Sequence, residues 1–212
     1  IYIFFYYFNF QYFFYYRARD IYTSDILFFG TLGRLKGCDV IAEVIEEILG
    51  NNKNLYFVFA GKDAGFKGKT MMAHIWKKAG NHRGRVIYLG LLNKSHLNEI
   101  IKNAELIVLP SKVDNFPNTA VESMSLGKIV VGTYEGGFDQ LIKDGENGFL
   151  IHAHSASALK EAVNRFLQFS QHEKQIVVEN AKSTVERLDV ERVSVKLIKY
   201  YQSVVVKNNG ER

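Results

Sequence analysis

The stretch ELIVLPSKVDNFPNTAVESMSLGKIVVGT, residues 105–133, decides the fold. Its first apolar run ends at Pro110 and is typical of a buried strand, and a second run at 129–133 predicts another strand. Between the two runs, Pro117 precedes a helix that ends at Gly127. The order is therefore strand, loop, helix, strand. Polar side chains follow the carboxyl end of the first strand, which is where ligands bind in open parallel sheets.

Strands and helices alternate along the rest of the chain as well. Apolar runs predict strands at 26–30, 55–61, 85–90 and 149–151, and helical spacing predicts helices at 39–49, 69–79, 95–103 and, in three pieces, from 155 to about 206. This alternation is typical of βαβ units. We therefore predict an α/β fold, with a parallel sheet covered by helices on both faces and a helical C-terminal tail.

Composition and charge set the broad class. The 212 residues are 47% hydrophobic, which fits one globular domain with a real core. Cys38 is the single cysteine, so a disulfide framework is excluded and a cytoplasmic location is favoured. The net charge of +5 favours anionic partners such as phosphates, nucleotides, acidic lipid surfaces or nucleic acid.

The N-terminal segment 1–24 differs from the rest of the chain. Its first 16 residues contain twelve aromatic side chains. They are fewer than the roughly 20 residues of a spanning helix, and they lack the features of a signal peptide. An interfacial anchor that contacts a membrane peripherally and a buried strand of a further domain both stay open as interpretations. Because the chain begins at Ile1 and not at Met, we expect it to be cut from a longer protein, and we place this segment outside the domain core.

The loop from Gly30 to Gly37 leaves a predicted strand and enters a predicted helix. It contains three glycines and two cations, Arg34 and Lys36. Glycines allow close approach of a ligand to the backbone, and a helix N-terminus offers unpaired N–H groups. Together with the two cations this suits a diphosphate. An ordinary βα loop with solvated charges has the same pattern, so the loop alone leaves both interpretations open.

Several common motifs are missing from the sequence. Gly68-Lys69-Thr70 looks like the end of a phosphate-binding P-loop, but Asp63 stands where that motif needs a glycine. The dinucleotide fingerprint G-x-G-x-x-G is also missing, and the histidines are scattered without metal-ligand spacing. An NTPase, a zinc site and Ser-His-Asp chemistry are therefore not favoured.

Six segments occur in one order: FFGTLGRLKG, FAGKD, VIYLG, DNFPNTAVESMSLGKIVVGT, EGGFDQLI and DGENGFLI. Together they resemble the C-terminal, donor-binding half of a family 4 glycosyltransferase, a two-domain enzyme of the GT-B fold. The resemblance covers residues 25–206, with 207–212 as a tail. It implies that the sheet is Rossmann-like and that the N-terminal acceptor domain is absent from this chain.

The resemblance also implies an activity. The enzyme would transfer a sugar from a UDP- or GDP-sugar to a glycan or lipid-linked acceptor, with retention of configuration, without a metal or other cofactor, in the cytoplasm or at the inner membrane face. We expect this chain alone to bind a nucleotide sugar but to turn over little or none. The alternative is a non-catalytic nucleotide-sugar-binding module that acts with a separate acceptor-domain chain. A nucleic-acid-binding domain is supported by the net charge alone, so we do not expect a nucleic-acid partner.

The resemblance assigns roles position by position. Lys36 matches the lysine that binds the donor diphosphate. Thr31 stands where the family usually has arginine, and Arg34 is expected to take over that role. Asp114 and Glu122 match the paired carboxylates of the family motif E-x7-E. Glu122 would accept hydrogen bonds from the ribose hydroxyls, and Asp114, one methylene shorter than the usual glutamate, would face the transferred sugar.

The turn between the two carboxylates would place its amides against sugar hydroxyls and phosphate. The remaining donor-binding positions are Gly30, Asn115, Phe116, Pro117, Asn118 and Thr119. A departing nucleoside diphosphate gains negative charge, and without a metal this charge must be stabilised by cations and helix N-termini. We therefore assign catalytic roles to Asp114, Arg34 and Lys36.

Overall fold

A six-stranded parallel sheet forms the centre of the computed structural model, which describes residues 24–114, 116–188 and 198. The strands are β1 (Ser24–Phe29), β2 (Leu55–Ala60), β3 (Val86–Tyr88), β4 (Leu106–Val108), β5 (Ile129–Thr133) and β6 (Phe149–Ile151). They lie in the order β3-β2-β1-β4-β5-β6, and every neighbouring pair is parallel. The order reverses between β1 and β4, so a crevice for ligands is expected at the carboxyl ends of these two strands.

Six helices connect the strands and cover the sheet within the described ranges. They are α1 (Cys38–Asn51), α2 (Met71–Lys78), α3 (Lys94–Asn103), α4 (Asn118–Ser125), α5 (Ala156–Gln168) and α6 (Gln171–Glu186). The buried residues of α1, α2 and α5 belong to one core cluster, and those of α3 and α4 belong to a second. The predicted α/β fold, a Rossmann-like parallel sheet with helices on both faces, is confirmed.

The strands are apolar on both faces because each face packs against helices. In β1, Ile26 and Phe28 belong to the first core cluster, whereas Leu27 and Phe29 belong to the second. This alternation follows from the two-residue period of a strand. A strand buried on both sides reads as a continuous apolar run and not as alternating apolar and polar residues.

Helix α2 begins at Met71, later than the start at residue 69 that helical spacing predicts. Thr70 is the N-cap, because its side-chain oxygen accepts a hydrogen bond from the Ala73 amide at 3.1 Å. The carboxylate of Asp63 accepts two more amides of the first turn, those of Met71 at 2.8 Å and Met72 at 2.9 Å. The side chains of Thr70 and Asp63 fix the start of the helix. Helical periodicity reports only apolar spacing, so it does not reveal these capping contacts.

Several predicted features lie wholly or partly outside the described residues. These are the aromatic segment through residue 23, Asn115, the final helical piece near 190–206 apart from residue 198, and the tail 207–212. Ser24, which we assigned to the N-terminal segment, is the first residue of β1. No helix within the described ranges is long and apolar enough to cross a membrane.

We expect Asp63→Ala to lower the free energy of unfolding by about 1–3 kcal/mol, because three amide donors would lose their acceptor. The donors are the amides of Gly65, Met71 and Met72. Urea unfolding followed by circular dichroism measures the loss. Asp139→Ala, at an exposed position, is the control. Equal stabilities of the two variants would contradict this role of Asp63.

Candidate functional site

Two loops meet at the crevice between β1 and β4. The first follows β1 and contains a short 3-10 turn, Arg34–Lys36, and the second follows β4. Gly37 of the first loop has φ +74°, and a Cβ atom there would lie 1.9 Å from the carbonyl oxygen of Pro110 in the second loop. The Lys112 amide also donates to the Leu35 carbonyl at 2.8 Å. Only glycine permits both this backbone conformation and this close approach.

The contact between the loops brings two of the predicted site residues together. The ammonium of Lys36 donates to the Asp114 carboxylate at 2.6 Å, across a separation of 78 residues. The side chains of Lys36 and Asp114 are 39% and 21% exposed, so both remain accessible at the crevice. Gly30 and Thr119, also predicted, line the same small cavity. The structure therefore assembles four predicted positions at the carboxyl ends of β1 and β4.

A largely buried ion pair also anchors the second loop. Lys112 Nζ donates to Asp39 Oδ2 at 2.7 Å, and its side chain is only 7% exposed. The pair joins the second loop to the first turn of α1. Sequence analysis missed both residues, because an isolated lysine in a loop and an aspartate at a helix start look like ordinary surface charges. Breaking such a pair leaves one buried charge uncompensated, which is strongly destabilising.

Arg34 does not join Lys36 and Asp114. Its guanidinium Nε lies 3.6 Å from Asp39 Oδ2, its side chain is 72% exposed, and it lines a different cavity. The reason is the 3-10 turn: with about three residues per turn, side chains two positions apart point in different directions. Arg34 and Lys36 therefore line different cavities, which does not favour their predicted binding of one shared diphosphate.

Glu122 lies on α4 and contacts the start of α3. Its carboxylate accepts a hydrogen bond from the ammonium of Lys94, the first residue of α3. Asn93 caps the same helix by accepting from the His96 amide at 2.9 Å. Sequence analysis did not identify Lys94, because its partner is 28 residues away and no local spacing links the two.

The turn before α4 has a defined geometry at its described positions. The Asn118 amide donates to the Phe116 carbonyl at 2.9 Å, and Pro117 is the N-cap residue of α4. The Phe116 side chain is partly exposed, and Thr31 of the first loop is exposed. Asn115 lies outside the described residues, so its predicted sugar contact stays a prediction.

The end of β5 is tied to the same loops. Thr133 is fully buried, and its hydroxyl donates to the Ser111 carbonyl. A Cβ atom at Gly136 would lie 2.9 Å from that same carbonyl oxygen. The chain after β5 forms two 3-10 turns, Tyr134–Gly136 and Phe138–Gln140, separated by Gly137 at φ +72°.

A polar pair lies beside this turn, at the ends of β5 and β6. The Ala153 amide donates to Glu135 and lowers the pKa of that carboxyl, and His152 Nδ1 lies 3.1 Å from Glu135 Oε1. Within residues 24–114, 116–188 and 198, no group of three or more His, Cys, Asp or Glu side chains could hold a metal ion.

Comparison with known proteins adds information on ancestry. A family model described as "Glycosyl transferases group 1" matches residues 22–184. An uncharacterized glycosyltransferase of Methanocaldococcus jannaschii, MJ1607, is 27% identical over 178 residues, which are 84% of this chain and 44% of that protein. A D-inositol 3-phosphate glycosyltransferase of Corynebacterium aurimucosum is 27% identical over 158 residues, 71% of this chain and 38% of that protein. The chain thus spans less than half the length of these relatives.

Solved structures have the same fold. A glycosyltransferase from Rickettsia africae ESF-5 superposes with a TM-score of 0.74 at 18% identity, over 90% of this chain and 50% of that one. Anabaena Alr3699/HepE in complex with UDP-glucose superposes with a TM-score of 0.70 at 20% identity, over 85% of this chain and 49% of that one. The predicted fold, one Rossmann-like half of a GT-B fold, is confirmed.

Substitution of Gly37 measures the contact between the two loops. We expect Gly68→Ala, at φ +75° with open space around it, to lower the free energy of unfolding by roughly 1–2 kcal/mol through backbone strain alone. Gly37→Ala, at φ +74°, should cost clearly more, because its Cβ also meets Pro110. Urea unfolding of both variants tests this, with Gly84→Ala as the unstrained reference. If Gly37→Ala and Gly68→Ala lowered the free energy of unfolding equally, the close approach of Gly37 to Pro110 would add no cost of its own.

Proposed function

Because this chain belongs to the glycosyl transferases group 1 family, we propose that it forms the donor site of an enzyme that transfers a sugar from a nucleotide-diphosphate sugar. The observation that carries the proposal is the meeting of Lys36 with Asp114 at the point where strand order reverses. The relatives named above are glycosyltransferases, which favours an enzyme over a non-catalytic binding module.

In this proposal Lys36 binds the donor diphosphate. The ammonium has three N–H donors, so it can keep its bond to Asp114 and still donate to a phosphate oxygen. As the bond from the sugar to the diphosphate breaks, negative charge grows on the departing oxygen, and the nearby cation lowers the energy of that state. The chemistry requires no metal or other cofactor, since Lys36 supplies the positive charge.

Asp114 orients the transferred sugar. Its Oδ2 accepts from Lys36, which leaves Oδ1 as an acceptor for a sugar hydroxyl. Family 4 membership and retention of configuration are the finer parts of this proposal, and they rest on the resemblance of the motifs.

Glu122 binds the ribose. The described contact with Lys94 uses Oε1, so Oε2 can accept from the ribose diol. UDP is the preferred nucleotide, with GDP as the second choice. This preference is supported by the related Anabaena structures, which contain UDP and UDP-glucose.

The acceptor is a glycan or a lipid-linked sugar, and the acceptor half of the enzyme is the N-terminal domain that the motif resemblance implies. The enzyme would act in the cytoplasm, with peripheral contact at the inner membrane face. In this arrangement the crevice between β1 and β4 faces the acceptor domain, and the two loops described here form the donor side of the cleft.

Calorimetric titration with UDP and uridine tests the diphosphate site. We expect Lys36→Ala to weaken UDP binding about tenfold or more, because a charge-assisted contact is lost, and to leave uridine binding nearly unchanged. Glu122→Ala should weaken UDP and uridine alike, since both carry the ribose. Lys102→Ala, at an exposed position on α3, is the charge-matched control. Equal loss of UDP and uridine binding in Lys36→Ala would overturn the assignment.

Comparison of UDP with UDP-glucose tests Asp114. Asp114→Asn should retain or improve UDP affinity, because a negative charge near the diphosphate is removed. The same variant should lose much of any additional affinity that UDP-glucose has over UDP, because the neutral amide oxygen is a weaker acceptor for a sugar hydroxyl than a carboxylate oxygen. A variant that binds both ligands as the unaltered chain does would contradict the role of Asp114.

A further inference from the structure

A second and larger cavity lies between α1 and α2, next to the 3-10 turn of the first loop. Its volume is about 360 Å³, which falls within the range of small-molecule sites. The lining residues come from three segments of the chain: Arg34, Asp39, Glu43, Phe66, Lys67, His74 and Lys78. None of them lines the cavity of Lys36 and Asp114. It is therefore a separate candidate site.

Three cations border this cavity. Arg34 pairs with Asp39 at 3.6 Å, and Asp39 is also neutralised by the buried Lys112. Lys67 and Lys78 make no ion pair with the part of the chain that the structure describes. No carboxylate among the described residues neutralises these two charges, although the Lys67 ammonium lies over the Phe66 ring, so both can meet an anionic ligand.

Cationic side chains outnumber carboxylates in the wall of the cavity, three to two. His74 lines the wall, and burial lowers its pKa, as do the neighbouring charges of Lys78 and Lys67. An imidazole with a lowered pKa stays neutral near pH 7. The charges of Lys78 and Lys67, which disfavour a protonated His74, would favour a bound phosphoryl group.

Lys67 occupies a position that is unfavourable for lysine. The amides and carbonyls of Phe66 and Lys69 close a tight turn, with N–O distances of 2.7 and 3.1 Å. Both central residues have left-handed backbone, Lys67 at φ +49° and Gly68 at φ +75°. Turns of this type favour Asn, Asp or Gly at the first central position. A lysine held there, with its side chain at a cavity wall, suggests that the side chain has a function.

The rest of the wall suits the ring of a sugar. Phe66 supplies an aromatic ring, whose centroid lies 4.6 Å from that of His74 and 5.2 Å from the Lys67 ammonium. Glu43 lies one helical turn after Asp39 on α1, and its carboxylate can accept hydrogen bonds from hydroxyl groups. A wall with only cations would fit a simple anion, whereas a carboxylate and an aromatic surface add recognition of a hydroxylated ring.

We propose that this cavity is a binding site for a phosphorylated sugar. Arg34, Lys67 and Lys78 contact the phosphoryl group, and the ring packs against Phe66. Glu43 accepts hydrogen bonds from the hydroxyls. This role also accounts for the direction of Arg34, which turns away from Lys36 and towards this cavity.

Calorimetry on the 212-residue chain tests the site with three probes: mannose 6-phosphate, inorganic phosphate and mannose. We expect mannose 6-phosphate to bind at least about fivefold more tightly than phosphate, because it uses both parts of the wall, and mannose to show no measurable binding. Lys67→Ala and Lys78→Ala should each weaken mannose 6-phosphate binding about fivefold or more. Lys102→Ala, which removes the same charge elsewhere, should change nothing.

Independence from the proposed donor site is tested in the same samples. Lys36→Ala should leave mannose 6-phosphate affinity unchanged, and Lys67→Ala should leave UDP affinity unchanged. The NMR-detected pKa of His74 should rise when mannose 6-phosphate binds, because a negative charge arrives beside the imidazole. The proposal is overturned by unaltered affinity in the Lys67→Ala, Lys78→Ala double variant, by displacement of mannose 6-phosphate by UDP, or by equal affinities for phosphate and mannose 6-phosphate.

Discussion

The approach of Gly37 to the Pro110 carbonyl controls the geometry of the crevice between β1 and β4. Any side chain at position 37 would push the two loops apart. With the loops in contact, the Leu35 carbonyl accepts the Lys112 amide, and Lys36 reaches Asp114. The site is therefore formed by backbone packing, and its charged groups are held in place before a ligand arrives. Such preorganisation is what electrostatic stabilisation of a leaving group requires.

Charges of opposite sign alternate around the 3-10 turn. Asp39 is shared by Arg34 on the exposed side and Lys112 on the buried side, while Lys36 of the same turn pairs with Asp114. One short turn thus contributes cations to two cavities that have no lining residue in common. If both proposed ligands bind, they lie on either side of this turn, and the buried Lys112–Asp39 pair connects the segments that hold them.

The sequence predicts most of the fold because buried strands and amphipathic helices have distinct periods. It also predicts that Lys36 and Asp114 belong to one site, since each follows the carboxyl end of a strand and the family motifs cover both, but it does not predict the ion pair between them. The direction of Arg34 was not predictable, because a 3-10 turn of three residues has no periodic signature. Lys94 and Lys112 were missed for a related reason: each contacts a carboxylate distant in sequence, and an isolated lysine usually indicates only a solvated surface.

The hydrogen bonds of Asp63 show why a sequence resembling a phosphate-binding loop does not form one. The carboxylate occupies the amides at the start of α2, the same donors that a nucleotide phosphate would use at a helix N-terminus. The Asp63 carboxylate therefore takes the place after β2 that an external anion would occupy. At this junction the helix amides are already bonded to Asp63. An external phosphate could dock there only by displacing the Asp63 carboxylate.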